Sequence, residues 1–567
     1  MADRIGAAAV TLVALFTCAA AAAPPLLPPG PATVLRVAQA GYAVGTAKTA
    51  YFMGPSAAFT VTDDAGATVL TGTTGPDRGR WNAAYPSVRP IDLSSVDTPG
   101  RYHLAVPGVA PVGFAVESDV AAPLVASMTG FLRSQRDGSH GLDRRAQVYE
   151  FAGLDASPSY VDASGGWFDA GDYLKLTATT SYALVCLQVA DRVAGPDPAR
   201  TAEIEHGLDW LRRMWDPARA VLQAQVGLGD GTAGLAGDHD VWRLPQTDDA
   251  RTGPERLLAN RPVFAANRPG EPVSRNLAGR TAAAFALAAR RYSDTEPTQA
   301  REDLDRAAAV YAAAGGDRLV TAFPADYYPE TSGADDLELA AAELFHAGEA
   351  LDDPRAGQWH ADARRLAARW PDDAADEPTL HLYDTTALAH LELGDDDLVA
   401  DVGRRLDVAR DKAAADPFGA GAYYTEGDAT ARMFGTAATA ALYAGVTGDP
   451  DAVDDAWAQV QWVLGVNAWG TSFVVGAGAV YPRCPQHPVA NLTGTAPAGA
   501  VVAGPAAVAD FADLATPDGA KPCHAGAFER FTGRGARYVD DVAAWPSVEP
   551  TLDATATAIL ALALLTR

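Results

Sequence analysis

The sequence predicts a multidomain chain: an N-terminal β-sandwich of immunoglobulin-like size, then an all-α region closed into an (α/α)6 barrel. Three observations carry this. At 567 residues the chain exceeds what one typical hydrophobic core supports. Near Asp119 the pattern changes from short apolar runs broken by Gly, Pro and Asp to the 3.6-residue period of helices. Twelve candidate helices then follow one another, several joined by turns as short as Gly448-Asp449-Pro450 and Gly394-Asp395-Asp396. Repeated hairpins of this length close into two concentric rings; an open helical solenoid is the competing arrangement.

Residues 1–23 read as a secretory signal peptide. Met1-Ala2-Asp3-Arg4 is a short polar start, Ala7 to Ala22 is apolar and Ala-rich, and small residues precede Pro24. The stretch is too short for a membrane span. Phe16 and Thr17 are poor neighbours for a lipid anchor at Cys18. The expectation is a secreted protein, free of the membrane once the signal is removed. Residues 24–33 form a stiff Pro-rich linker.

Residues 34–117 supply the sandwich. Val34-Leu35-Arg36-Val37, Thr49-Ala50-Tyr51-Phe52, Phe59-Thr60-Val61 and Tyr102-His103-Leu104-Ala105-Val106 read as strands, separated by turn signals such as Asp64-Ala65-Gly66 and Thr98-Pro99-Gly100. Residues 119–567 supply the helices, expected to start near Asp119, Tyr173, Arg200, Arg275, Thr298, Asp335, Pro354, Leu380, Leu398, Asp428, Asp449 and Thr551. If helices alternate between outer and inner rings, the second and the twelfth are both inner, and closure makes them neighbours. Their sequences suit a crowded interior: Thr177-Ala178-Thr179-Thr180-Ser181-Tyr182-Ala183 and the stretch from Ala554 to Leu562 are small and uncharged.

The net charge of −27 argues against a nucleic-acid partner, since phosphate binding needs clustered Lys and Arg. Of four cysteines, Cys18 leaves with the signal and Cys186 lies inside an apolar helix. Cys484 and Cys523 remain, in loops of an exported chain, and are expected to form a disulfide. No Cys-x-x-Cys or His-Glu-x-x-His pattern supports zinc.

Two segments carry chemistry. Gly165-Gly166-Trp167-Phe168-Asp169-Ala170-Gly171-Asp172-Tyr173 sets two carboxylates three residues apart in a Gly-rich turn before a helix. Taken alone, Asp172 reads equally as a helix N-cap and Asp169 as a turn former. The late segment from Tyr538 to Pro550 offers Asp540, Trp545 and Glu549. Alone, Glu549 reads as a solvated first-turn glutamate.

Together the two segments resemble glycoside hydrolase family 9, the inverting cellulases and their relatives. The family's Asp-Ala-Gly-Asp turn matches residues 169–172. Its late pattern of aromatic, Asp, aromatic and Glu matches Tyr538, Asp540, Trp545 and Glu549 without a gap, although Thr555 stands where the family usually has Asn. The resemblance implies that Asp172 is the base, that Asp169 helps hold the water and that Glu549 is the acid. Inversion needs a water between base and sugar, with the acid protonated on the other side. The opening Arg36-Val37-Ala38-Gln39-Ala40-Gly41-Tyr42 resembles the immunoglobulin-like module that precedes many family 9 catalytic domains. Gln461 to Gly470, with Ser472 to Gly478, resembles the segment leading to the family's Pro-His-His-Arg sugar-binding cluster. Here the cluster reads Pro485-Gln486-His487-Pro488, so an imidazole and the guanidinium are replaced.

The remaining expectations follow from that resemblance. His239 and Trp242, in Gly237-Asp238-His239-Asp240-Val241-Trp242, are the sugar-binding choices of an Asp-His segment. Tyr328, Tyr424 and Trp545 are stacking platforms, and Gln486 and His487 bind substrate. Asp335, Asp336 and Asp384 are candidate oxygen ligands for a structural calcium, against the competing reading of Asp335 as an N-cap. No cofactor is required for the chemistry. The function implied is a secreted, monomeric, inverting, endoglucanase-like hydrolase of a β-linked poly- or oligosaccharide. The alternatives are an exo-acting glycosidase on short or amino-substituted oligosaccharides, such as a glucosaminide, and a non-catalytic carbohydrate-binding protein on the same fold.

Overall fold

The structure, a computed structural model, describes residues 34–138, 143–150, 154–316, 318–323, 327–368, 380–512 and 514–566. The signal, the linker and Cys18 lie outside them.

Eight strands build the N-terminal β-rich module: β1 Leu35–Arg36, β2 Tyr42–Ala43, β3 Thr49–Phe52, β4 Ala58–Asp63, β5 Thr68–Thr73, β6 Arg89–Asp92, β7 Gly100–Ala105 and β8 Val112–Glu117. One sheet has the order β1-β3-β6 and the other β2-β8-β7-β4-β5. All pairs are antiparallel except β2 with β8. Alternation decides which faces are buried: Phe59 and Val61 on β4, Tyr102 and Leu104 on β7, and Phe114 and Val116 on β8 all point into the core. The sequence reading missed β2, β5, β6 and β8. Only two of β5's six residues are even partly buried, so it carries little apolar signal.

Twelve helices of eight or more residues follow among the described residues: α1 Ala121–Ser134, α2 Thr177–Ala194, α3 Pro198–Met214, α4 Arg275–Tyr292, α5 Pro297–Ala312, α6 Ala334–Ala350, α7 Ala356–Ala367, α8 Thr386–Leu393, α9 Asp396–Ala415, α10 Ala429–Thr447, α11 Pro450–Val463 and α12 Leu552–Leu564. Their starts are locally encoded. Asp197 accepts the amides of Ala199 and Arg200 ahead of α3, Asp449 that of Asp451 ahead of α11, and Thr551 that of Ala554 ahead of α12. Pro198 and Pro450 take the first position, where no N–H is needed. Gly448 ends α10 at φ 76°, a left-handed turn that costs glycine little.

The even-numbered helices pack in a cycle: α2 on α4, α4 on α6, α6 on α8, α8 on α10, α10 on α12, and α12 back on α2. Each odd-numbered helix packs outside an even one. Every residue of α12 is buried, which explains why its sequence is mostly small or apolar, with Asp553 its one charged residue. Between α1 and α4 the chain also forms a sheet that the helical reading did not anticipate, including Ala146–Glu150, Val221–Val226 and Val263–Ala265.

The β-rich module is bonded to the helical part by backbone-directed contacts. Arg36 Nε donates to the Ala468 carbonyl (2.9 Å), the Gln39 amide to that of Leu464 (2.6 Å), and Trp81 Nε1 to that of Phe531 (2.7 Å). The Trp81 ring meets Phe418 and Trp469 edge-on. Cys484 and Cys523 are bonded, with Cα atoms 5.5 Å apart, and Cys186 is a buried free thiol. No helix among the described residues is long and apolar enough to cross a membrane.

Candidate active site

The turn before α2 is clamped from beneath. Lys175 is buried and its Nζ donates to Asp137 (2.7 Å), Asp143 (3.0 Å) and the carbonyls of Ala163 (2.5 Å) and Gly165 (3.1 Å). Arg261 bonds the same two carboxylates, so two cations face two anions in a dry setting. The Asp169 amide closes the turn on the Leu174 carbonyl (2.8 Å). The Asp169 carbonyl in turn accepts the amide of Leu552, the first residue of α12 (2.8 Å), so this turn and the helix after Glu549 are joined directly. A Cβ on Gly171 would stand 2.1 Å from the Gln486 carbonyl oxygen; only glycine lets the two segments meet.

On this frame the carboxylates of Asp169, Asp172 and Glu549 line one cleft of about 1240 Å³. Asp169 is buried and accepts hydrogen bonds from Tyr328 (2.6 Å) and Thr179. Burial, then the charge of Asp172, pushes its carboxyl up to about 8. Asp172 accepts the Leu174 amide (2.9 Å) and meets His239 Nε2 at 2.7 Å. His239 Nδ1 lies 3.5 Å from Asp230. Burial works against its charge, but the two carboxylates outweigh it and hold the imidazole well above its ordinary range. Glu549 follows the short helix Trp545–Val548, and its carbonyl accepts the Ala503 amide (3.0 Å). Burial, then Asp172, pushes its carboxyl up to about 8. The cleft thus sets a glutamic acid held toward its protonated form beside a second carboxyl that an imidazole meets, an arrangement that can serve acid and base catalysis.

Asp172 does not cap α2. The strand Lys175–Leu176 intervenes, Leu176 occupies the cap position, and the Tyr173 amide goes to Asp238 (2.6 Å). The charge on Asp172 is served by His239 instead of by a helix end.

Of the expected sugar contacts, His239, Trp242, Tyr328, Gln486 and Trp545 line the cleft. Trp545 is 52% exposed, an open aromatic face beside the acid. Two expected contacts do not belong here. Tyr424 bonds Asp416 (2.5 Å) and stacks on Trp462, in the seam against Trp81 of the β-rich module. His487 is buried behind the turn. Its Nε2 meets Gln135 (3.0 Å), its Nδ1 accepts the Ala490 amide as a cap for Pro488–Thr493, and burial lowers its pKa to about 4.

The calcium expectation also fails. Both oxygens of Asp336 are taken by Arg280, at 3.0 Å each. Asp335 accepts the Thr385 amide (3.0 Å), and Asp384 accepts the Thr386 amide (2.9 Å) and lines the cleft. Among the described residues no group of three or more His, Cys, Asp or Glu is placed to hold a metal ion. The sequence reading missed Asp230, Tyr327, His381, Tyr383 and Asp428, all in the cleft wall. Tyr327 adjoins a residue it did single out; the others sit in loops without a motif.

The fold, an acid-lined cleft on a helical ring with a β-rich module before it, is that of known family 9 structures, and the family match below makes the chain an endoglucanase-like glycoside hydrolase. The chain belongs to glycosyl hydrolase family 9. That family's model matches residues 124–562, and the cellulase N-terminal ig-like domain matches residues 31–110. Among curated proteins, Endoglucanase 7 of Oryza sativa subsp. japonica is 27% identical over 414 residues, covering 64% of this chain and 73% of the relative. Endoglucanase 2 of the same plant is also 27% identical, with 63% and 59% covered. Among solved structures, a metagenome-derived glycoside hydrolase family 9 endoglucanase superposes with a TM-score of 0.73 at 22% identity, covering 94% of this chain and 98% of its own. A family 9 protein of Bacteroides ovatus gives 0.72 at 20% identity, with the same coverage.

Proposed function

We propose that this chain is a secreted, monomeric, inverting hydrolase of β-linked glycans on an (α/α)6 barrel. The closed cycle of six even-numbered helices with six outside them supports the barrel. The observation that carries the mechanism is the shared cleft, in which Glu549 keeps its proton while Asp172 faces His239.

In this mechanism Glu549 protonates the glycosidic oxygen as the bond breaks. Asp172 takes a proton from a water that attacks the anomeric carbon from the opposite face. Asp169, held by Tyr328 and Thr179, fixes the second side of that water's position. One displacement by water inverts the configuration. Because the relatives are named endoglucanases, a β-glucan is the first substrate to try. Proton NMR of the first-formed anomer tests the reading: an α product from a β-linked substrate is expected, and a β product would overturn the role given to Asp172.

A further inference from the structure

A cavity of about 330 Å³ lies outside the cleft and shares no described lining residue with it. Its floor is the sheet between α1 and α4. Val221 and Gln223 line it while Leu222 and Ala224 do not, so the alternation of the strand turns the side chains at 221 and 223 toward it. Val148 and Ala265 of the other strands, with Val320, complete an apolar floor. Tyr149, whose ring packs on Phe264, adds an aromatic wall. The volume is at the small end of ligand sites, about 300–1,000 Å³, and suits a single sugar ring.

Gln223 is 5% exposed, and its Oε1 has no hydrogen-bond partner. Gln225, two residues on along the same strand, is served at both ends: its Oε1 accepts the Phe323 amide (2.7 Å) and its Nε2 donates to the Gly227 carbonyl (2.8 Å). The backbone carbonyl of Gln223 is also taken, by the Thr177 hydroxyl (2.6 Å). The unmet group is thus the side-chain oxygen, on the face turned to the cavity, and a buried acceptor without a donor is costly.

The rim adds charge. Among the described residues it carries Arg219, Arg268 and Arg318 against Glu271 alone, on a chain of net charge −27. Arg219 donates to the Ser159 hydroxyl (2.5 Å), and Arg268 stands 4.0 Å from Glu271. The guanidiniums still outnumber the carboxylate, so this rim attracts anions where the acid-lined cleft repels them. A bare anion would answer the rim and leave Gln223 unmet. A neutral sugar would answer Gln223 and leave the rim unused. A ring with both a carboxylate and hydroxyls answers each: the carboxylate faces the guanidiniums, a hydroxyl donates to Gln223 Oε1, and the C–H face of the ring lies on the apolar floor.

We propose that this cavity is a non-catalytic binding site for an acidic sugar, a hexuronate. It involves none of the carboxyls of the cleft and stands apart from the hydrolase reading.

Isothermal titration calorimetry on the full chain at low ionic strength tests it, with glucuronate as the probe and glucose and acetate as its two halves. Glucuronate should bind one site per chain, with a Kd at least about tenfold below that of either half, the scale of one charge-assisted hydrogen bond. Arg219 and Arg318 are exposed, so Arg219→Ala with Arg318→Ala should abolish glucuronate binding at unchanged circular dichroism. Gln223→Met, which keeps the length of the side chain and removes its amide, should weaken glucuronate to the level of acetate. The arginine variant keeps the test open should Gln223→Met fail to fold. No saturable glucuronate binding overturns the proposal. So does glucose binding as tightly, which would leave the rim without a role, or acetate binding as tightly, which would mean a bare anion hole. Undiminished glucuronate binding in the double arginine variant would place the sugar elsewhere and overturns it too.

Discussion

Asp172 with Glu549 and Asp335 with Asp336 are both pairs of acids near the starts of inner helices, yet the chain treats them differently. Asp336 is fully buried and gripped at both oxygens by Arg280, which also holds Glu330 at 2.8 Å. Among the described residues Glu549 meets no cation directly, and it is pushed up to about 8. The bidentate guanidinium ties Asp336 to the fold, although burial raises its pKa too. A carboxyl deprived of one can exchange a proton near neutral pH, which is what catalysis needs. Burial is common to both; the partner decides the role.

The largest expected effect breaks this comparison at its catalytic side. Asp172→Asn and Glu549→Gln should each lower kcat by about 10²–10⁴-fold or more, the worth of a positioned acid or base, with unchanged circular dichroism. Near wild-type turnover in either would end the assignment. The matching change at the other pair should act on stability. Asp336→Ala leaves Arg280 buried without its bidentate partner, at a cost of about 3–5 kcal/mol. Urea denaturation would show it, and kcat per folded molecule should change far less than in Glu549→Gln.

The next prediction concerns pH. A raised pKa means that Glu549 keeps its proton to higher pH than a free glutamate. Its acid function is therefore present below about 8 and lost as pH rises through that value. The kcat/KM profile should show an alkaline limb near there. A limb near 4.5, the value of an unperturbed glutamate, would mean that Glu549 titrates as a solvated group.

Why some of this was readable from the chain and some was not follows from where each signal lies. Three helix starts are local in the plainest sense: Asp197, Asp449 and Thr551 sit beside the amides they bond. Asp169, Asp172 and Glu549 were legible because their spacing is fixed within short segments. Asp428 and Asp230 were not, since only the folded ring brings their loops to the cleft. The calcium expectation failed because Arg280 lies 56 residues from Asp336, and no local pattern announces that pairing. Tyr424 failed likewise, its partner Trp81 belonging to the other module.

The smallest expected effect separates His487 from His239, two imidazoles that the sequence offered for the same task. His239 touches Asp172, so His239→Ala acts on the reaction itself. His487 faces Gln135 and the Ala490 amide, behind the Gly171 turn, and is held neutral by burial. His487→Ala removes one cap and strands the Gln135 amide, which costs about 1–3 kcal/mol of stability. With no atom in the cleft it has no hydroxyl to bind, so KM should stay near wild type on whichever glycan the protein prefers. Thermal denaturation and Michaelis kinetics on the same preparation decide the matter. A several-fold rise in KM at unchanged stability would return His487 to the sugar, and would mean that the departure at Gln486-His487-Pro488 alters substrate contact directly, not only through the packing behind the turn.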